Sequence, residues 1–268
     1  MTTIKFAAFL SAPALALALV IAVPAAAAEA TPTAAEAAEA VSWKDWHANN
    51  DTSNRSSLQQ GARNYMNYCI GCHSLKYMRY SRMASDLAIS TEQLQQYLMP
   101  VEAKPADYIM TSLNAADANA WFGKEPPDLS LIARARGVDY LYRFLKTFYT
   151  DKSRATQTNN LALENAAMPA VLSDLGGVQE AVYTNVTKIV DGKPTEVKQF
   201  SHFELSTPGR LTPEQFDGFV RDTVNFLDYV GEPSQVDRRS IGVWAVLFLL
   251  VLTWLAWLLK KEYWKNVH

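Results

Sequence analysis

The residues best suited to do chemistry stand together at Cys69-Ile70-Gly71-Cys72-His73. They include both cysteines of the chain, and a histidine follows the second directly. This C-x-x-C-H order is the signature of covalent c-type haem attachment. Each thiol can add across one haem vinyl group, and the two-residue gap sets the sulfurs at the vinyl spacing. The next residue then lies under the iron, where its imidazole can be the proximal ligand. A C-x-x-C pair also serves as a thioredoxin-like dithiol, as half of a zinc site or as a structural disulfide. No βαβ pattern surrounds it here, and His47, His202 and His268 stand alone in the sequence. The expected cofactor is therefore one haem c, held through Cys69 and Cys72 with His73 on its iron.

The compartment follows from the chain ends. Lys5 precedes an apolar, Ala- and Leu-rich run at 6–23, and small residues follow at Pro24-Ala25-Ala26-Ala27-Ala28. This pattern predicts a secretory signal peptide over 1–28, with an uncleaved anchor as the alternative. Residues 29–55 begin Ala/Glu/Thr-rich and are expected to form a flexible lead-in. Residues 241–259 carry no charge, and at about 1.5 Å per residue they nearly span a ~30 Å hydrocarbon core. Trp244, Trp254 and Trp257 sit as interfacial aromatics do. Lys260, Lys261 and Lys265 suit a cytoplasmic tail over 260–268, although Arg238 and Arg239 blur that asymmetry. The expected place is a bacterial inner membrane, with one pass, the domain at 56–235 in the periplasm and the C-terminus in the cytoplasm.

The chain has 25 basic and 27 acidic residues. Taking away Lys5, then Lys260, Lys261, Lys265 and Glu262, leaves 21 against 26, a net of −5 for the external part. An acidic face can steer a basic partner, though ordinary solvation accounts for it equally well. No basic stripe points to nucleic acid.

A mainly α domain must position the attachment turn. One helix is expected to run from Ser56 or Ser57, as cap, into Cys69. A second covers 91–98 with Thr91 as cap. A third covers 138–149, with an apolar stripe at Tyr140, Leu141, Phe144, Leu145 and Phe148. Thr187-Lys188-Ile189-Val190 and Glu196-Val197-Lys198-Gln199-Phe200 flank Asp191-Gly192 as a short β-hairpin. The last helix of the domain starts at Thr212-Pro213-Glu214-Gln215, a capping box with proline at the first position. It is expected to end near Val230, about ten residues before the apolar run. A helix before the motif and one closing the domain are what a class I cytochrome c fold requires.

Iron held by His73 needs a sixth ligand or an open site. Met78 and Met83 lie close to the motif, and Met66 lies in the approaching helix. Met99 and Met110 remain candidates, but Met168 is best placed, with His202 as the runner-up. It precedes Pro169 in an irregular loop, which keeps the chain extended there. A thioether is soft and raises the potential, whereas core filling is the ordinary use of methionine. Pro126-Pro127-Asp128-Leu129-Ser130 can wall a flat ring. Arg134 and Arg136 offer forks for carboxylates such as propionates, or simply surface ion pairs.

The chain resembles the cytochrome c1 family, the haem subunits of quinol:cytochrome c oxidoreductases (bc1 complexes). The resemblance runs from about Trp43 onward. It rests on Tyr68-Cys69-Ile70-Gly71-Cys72-His73-Ser74-Leu75-Lys76-Tyr77, on Trp121-Phe122-Gly123, on the Pro-Pro-Asp-Leu-Ser run with Ala133-Arg134-Ala135-Arg136-Gly137, and on Ala167-Met168-Pro169. It implies His73 and Met168 as iron ligands, Arg136 and Tyr140 at the haem or its propionates, and Pro127 against the ring. It implies an electron-transfer subunit without acid–base or nucleophilic residues, between a Rieske iron–sulfur protein and a cytochrome c acceptor. Cytochrome b, membrane lipid and a dimeric complex are the further partners implied. A free-standing anchored shuttle is the alternative. Some relatives carry a disulfide near the distal methionine. None can form here, so packing is expected to hold that loop. An acidic insertion of other relatives is replaced by scattered Glu102, Asp107, Asp117 and Glu125.

Overall fold

The computed structural model describes residues 42–190 and 193–266. The expected signal segment, the first part of the lead-in, the Asp191-Gly192 turn and His268 lie outside the described residues. Helices dominate: α1 Arg55–Tyr68, α2 Tyr80–Asp86, α3 Thr91–Tyr97, α4 Ala115–Phe122, α5 Ile132–Arg136, α6 Val138–Lys146, α7 Ser173–Gly176, α8 Pro213–Gly231 and α9 Gln235–Tyr263. Among the described residues, six strands form three separate antiparallel pairs. β1 Leu75–Arg79 pairs with β2 Tyr108–Ile109, β3 Phe148–Thr150 with β4 Thr158–Asn160, and β5 Val178–Val190 with β6 Lys193–Thr207.

The core forms where α1 crosses α8. Gly61 lets the two backbones meet: a Cβ there would lie 2.0 Å from the Asp222 carbonyl oxygen and 2.6 Å from Phe226 Cβ. Polar bonds pin the crossing. Ser57 donates to Asp222 at 2.6 Å, and Asn64 donates to Thr223 Oγ1 at 3.1 Å. Tyr65 and Phe226 pack beside it with ring centroids 5.9 Å apart. Leu75, Met78, Tyr80, Met83, Leu87 and Leu94 extend the same buried cluster.

Several local expectations are corrected. Asn54, not Ser56 or Ser57, caps α1: its side chain accepts from the Ser57 N–H. Ser90, not Thr91, caps α3, in a capping box with Gln93. Either neighbour fits the sequence pattern; the backbone geometry at the entry selects the one outside the helix. The helix expected to reach 149 stops at Lys146, because Phe148 to Thr150 pair with Asn160 to Thr158. The hairpin is longer than the short one expected, with 13 residues in β5 and 15 in β6. The capping box and proline of α8 stand as read, and its buried face includes Val220, Thr223, Val224, Phe226 and Leu227.

The lead-in is packed from Trp46, which lies against the core, rather than flexible to 55. Asp139 accepts from His47 Nδ1 at 2.6 Å and from the Ala48 N–H at 2.9 Å, and Ala48 is buried. Asn225, fully buried on α8, donates to the Asp51 carbonyl at 2.8 Å and accepts from Asn50 at 3.1 Å. Polar partners, which leave no apolar periodicity, hold this segment.

The last helix of the domain ends one residue past its expected end, and nine residues precede Ile241 as expected, but the last six of them already belong to α9. α8 ends at Gly231 and α9 starts at Gln235, so three residues separate them. Glu232 accepts from Arg134 of α5 at 2.7 Å and from Arg238 of α9 at 2.6 Å. Among the described residues α9 alone is long and apolar enough to cross a membrane, with 29 residues and a mean hydropathy of 2.4 over its apolar stretch. Arg238, then Arg134, hold the Glu232 carboxyl below its ordinary value of 4.5. The ionised form is thus favoured in the folded state. Its contribution is present above 4.5 and fades as the pH falls through the lower folded value. Amide-exchange protection of residues 234–238 is expected to fall over that range. Constant protection would mean that other contacts hold the junction.

Candidate functional site

α1 delivers the chain into the attachment turn. Cys69 is its C-cap, bonded through its N–H to the Tyr65 carbonyl. The N–H groups of Cys72 and His73 both donate back to the Cys69 carbonyl, at 3.1 and 2.9 Å. This closes one tight turn and leaves both cysteines as free, half-buried thiols. Burial, with Cys72 alongside, pushes the Cys69 thiol up to about 12, so it stays protonated at neutral pH.

A second segment grips this turn from far along the chain. His73 Nδ1 lies 2.7 Å from the Pro127 carbonyl oxygen. Nδ1 therefore carries the proton, and Nε2 is left as the basic nitrogen. Burial lowers the His73 pKa, against the opposing Pro127 bond and the Asp128 charge, so the imidazole is held neutral. Neutral imidazole is the metal-ligating form. Tyr65, its phenol kept protonated by burial, donates to the His73 carbonyl at 2.6 Å. Asp128 accepts from the Lys76 N–H, Ser130 Oγ from the Tyr77 N–H, and Leu129 N–H donates to the Ser74 carbonyl. Thr111 adds a third tie: its N–H reaches Ser74 Oγ and its hydroxyl reaches the Gly71 carbonyl.

The two arginines part company. Arg134 is taken by Glu232. Arg136 is exposed, has no ion pair among the described residues, and lies 5.8 Å from the Tyr140 ring. Tyr140 stacks on Phe144 at 6.2 Å, and Phe144 meets Phe148 edge-on at 5.1 Å. The stripe read from the sequence thus splits. Leu141 is buried in the core, while Tyr140 remains half-buried beside Arg136 and Phe144 half-buried against Tyr140.

The methionines sort by burial. Met78 and Met83 fill the core, and Met66 and Met99 pack against it. Met110 is 48 % exposed. Met168 is half-buried on the loop between β4 and α7. It lines a cavity of about 520 Å³ with Trp46, Lys146, Phe148 and Phe216, and the attachment turn is not part of that wall. His202 is exposed on the hairpin beside Ser201 and Glu204. The structure thus brings His73 and Pro127 together and sets Arg136 beside Tyr140, while Met168 sits on a separate loop. Sequence reasoning missed Tyr65, Thr111 and the Pro127 carbonyl; only the Pro-Pro-Asp-Leu-Ser run signalled any of them.

Two free thiols and a neutral imidazole with one nitrogen open, on a single turn, fit a haem and describe a cytochrome of the c type. The chain belongs to the cytochrome c1 family, whose family model matches residues 45–203 and 209–267. Members are haem-bearing electron-transfer subunits of the bc1 complex. The chain is 48 % identical over 221 residues to cytochrome c1 of Allochromatium vinosum, covering 82 % of this chain and 88 % of that one. It is 39 % identical over 218 residues to a protein named ammonia monooxygenase gamma subunit in Nitrosomonas europaea, covering 81 % and 86 %. It is 26 % identical over 236 residues to the cytochrome b-c1 complex catalytic subunit of Candida albicans mitochondria, covering 81 % and 74 %.

Proposed function

We propose that this chain links a Rieske iron–sulfur protein to a cytochrome c acceptor within a dimeric bc1 complex, through a class I cytochrome c-like domain on the periplasmic face. The observation that carries the reading is the His73–Pro127 bond, which joins the C-x-x-C-H turn to the Pro-Pro-Asp-Leu-Ser segment. Haem supplies one-electron chemistry when bound. Cys69 and Cys72 hold it covalently, and His73 Nε2 and Met168 Sδ are the iron ligands. Pro127 fixes the His73 tautomer and walls the ring. Arg136, with Tyr140 beneath it, holds propionate charge, since Arg134 is spent on Glu232. No residue of the chain is assigned acid–base or nucleophilic work.

Residues 1–28 serve as the export signal in this reading, and α9 anchors the domain beside cytochrome b. The three-residue junction and the Arg134–Glu232–Arg238 ion pairs favour a domain fixed over a complex rather than a shuttle on a tether. The test is a reduced-minus-oxidised visible spectrum of the chain, affinity-purified from gently solubilised native membranes. A c-type α-band accompanied by b-type bands is the expected result. A c-type band alone would make it a shuttle, and absence of any c-type band would overturn the haem reading.

A further inference from the structure

Two asparagines are buried where α6 meets the loop that carries Met168. Asn160 is 1 % exposed and Asn159 is 5 % exposed. Buried amides persist only where both ends are bonded. Asn160 Nδ2 donates to the Phe144 carbonyl at 2.8 Å. That carbonyl belongs to the last turn of α6, where a helix leaves acceptors without an internal partner. Asn160 Oδ1 accepts from Thr147 Oγ1 at 3.2 Å and from the N–H groups of Ala162 at 2.8 Å and Leu163 at 3.0 Å. Asn159 Oδ1 accepts from the N–H groups of Asn160 at 2.9 Å and Asn165 at 2.8 Å, and its Nδ2 donates to Asp151 at 3.0 Å. Asn165 turns the chain at φ 62, a left-handed conformation that asparagine tolerates. Ala166, buried, follows it, and Met168 comes two residues later. Beside the packing expected of this loop, with Ala166 and Leu172 buried, hydrogen bonds from two buried amides hold it.

We infer that Asn160, supported by Asn159, is a positioning residue that locks the Met168 loop onto the C-terminal end of α6. This rests on the reading of Met168 as the sixth iron ligand. The geometry has a functional consequence. α6 carries Tyr140 and follows Arg136, so one side chain ties the proposed propionate contacts to the loop of the proposed distal ligand. Without Asn160, the closed loop leaves the fully buried Thr147 hydroxyl and the half-buried Ala162 N–H without this acceptor, whereas the open loop lets water reach them. The substitution therefore favours the open loop, in which the thioether is away from the iron.

The test uses purified ferric holoprotein and three readouts: the weak long-wavelength absorption of a methionine-sulfur–iron bond, the midpoint potential, and titration with imidazole. Asn160→Ala is expected to lose much of the band, lower the potential and bind imidazole about ten- to a hundredfold more tightly, the change that one or two buried hydrogen bonds bring. Leu94→Ala, a truncation of the buried α3 core, is expected to lower the melting temperature and leave all three readouts unchanged. Met168→Ala separates the two ideas. If it abolishes the band while Asn160→Ala leaves everything unchanged, the positioning role is wrong and the ligand reading stands. If Met168→Ala changes nothing, the ligand reading falls and this inference with it. Should Asn160→Ala fail to accumulate, Asn160→Asp carries the test. It keeps the acceptor for Ala162 and Leu163 but sets a carboxylate against the Phe144 carbonyl. Weakened imidazole exclusion supports the role, and wild-type behaviour in all three readouts overturns it.

Discussion

Gly61→Ala is expected to destabilise the domain by about 3 kcal/mol or more, at the upper end of what overpacking costs. In an ordinary helix the same change helps, by up to about 1 kcal/mol, because alanine loses less backbone entropy. Here the added methyl would lie 2.0 Å from the backbone carbonyl of Asp222. A helical carbonyl cannot swing aside as a side chain can, so α1 and α8 must separate. Separation strains the Ser57–Asp222 and Asn64–Thr223 bonds and opens the Tyr65–Phe226 contact. Gly218→Ala on α8 is the matched control, since its nearest neighbour is the flexible end of Arg221 at 3.6 Å. A thermal melt should therefore move in opposite directions for the two variants, with a fall of roughly 6–12 °C for Gly61→Ala. A Gly61→Ala melt at or above wild type would mean that the helices do not cross as closely as described.

Met168→Ala carries the second large effect. Axial ligation moves haem potentials over about 0.8 V, and replacing a thioether by water or a stray nitrogen donor lowers the potential. A fall of more than ~0.1 V is expected, with loss of the sulfur–iron absorption, because the soft thioether stabilises the ferrous state. Secondary structure should be unaffected, since Met168 lies outside the buried core cluster. A redox titration of the purified variant decides the matter. An unchanged potential would remove Met168 from the iron and return Met110, exposed and adjacent to Thr111, as the next candidate.

The sequence made the ends of the site legible because they depend on local order. C-x-x-C-H encodes its chemistry in five consecutive residues, and the Thr212-Pro213-Glu214-Gln215 box encodes a helix start in four. The apolar run at 241–259 follows from composition alone. Helix caps were harder to read. Asn54, Ser56 and Ser57 all satisfy the pattern, and only the backbone at the helix entry shows that Asn54 does the capping. The packed lead-in was invisible for a different reason: Asn50, Ala48 and Asn225 carry no period that would announce burial.

Long-range pairings lay further out of reach. His73 and the Pro127 carbonyl are 54 residues apart, and the bond involves a backbone atom that every residue possesses. Arg134 and Arg136 look equivalent at i and i+2. They differ because Glu232, almost a hundred residues on, reaches one and not the other. Gly61 looks like any helical glycine until α8 lies against it. The amino-acid order by itself determined the C-x-x-C-H turn, the helical class and an apolar helix long enough to cross a membrane, since each depends on neighbours within a turn or on composition. Only the tertiary structure decided which histidine nitrogen stays open, which arginine remains unpaired and what holds the Met168 loop, because those outcomes depend on distances between segments that sequence leaves unrelated.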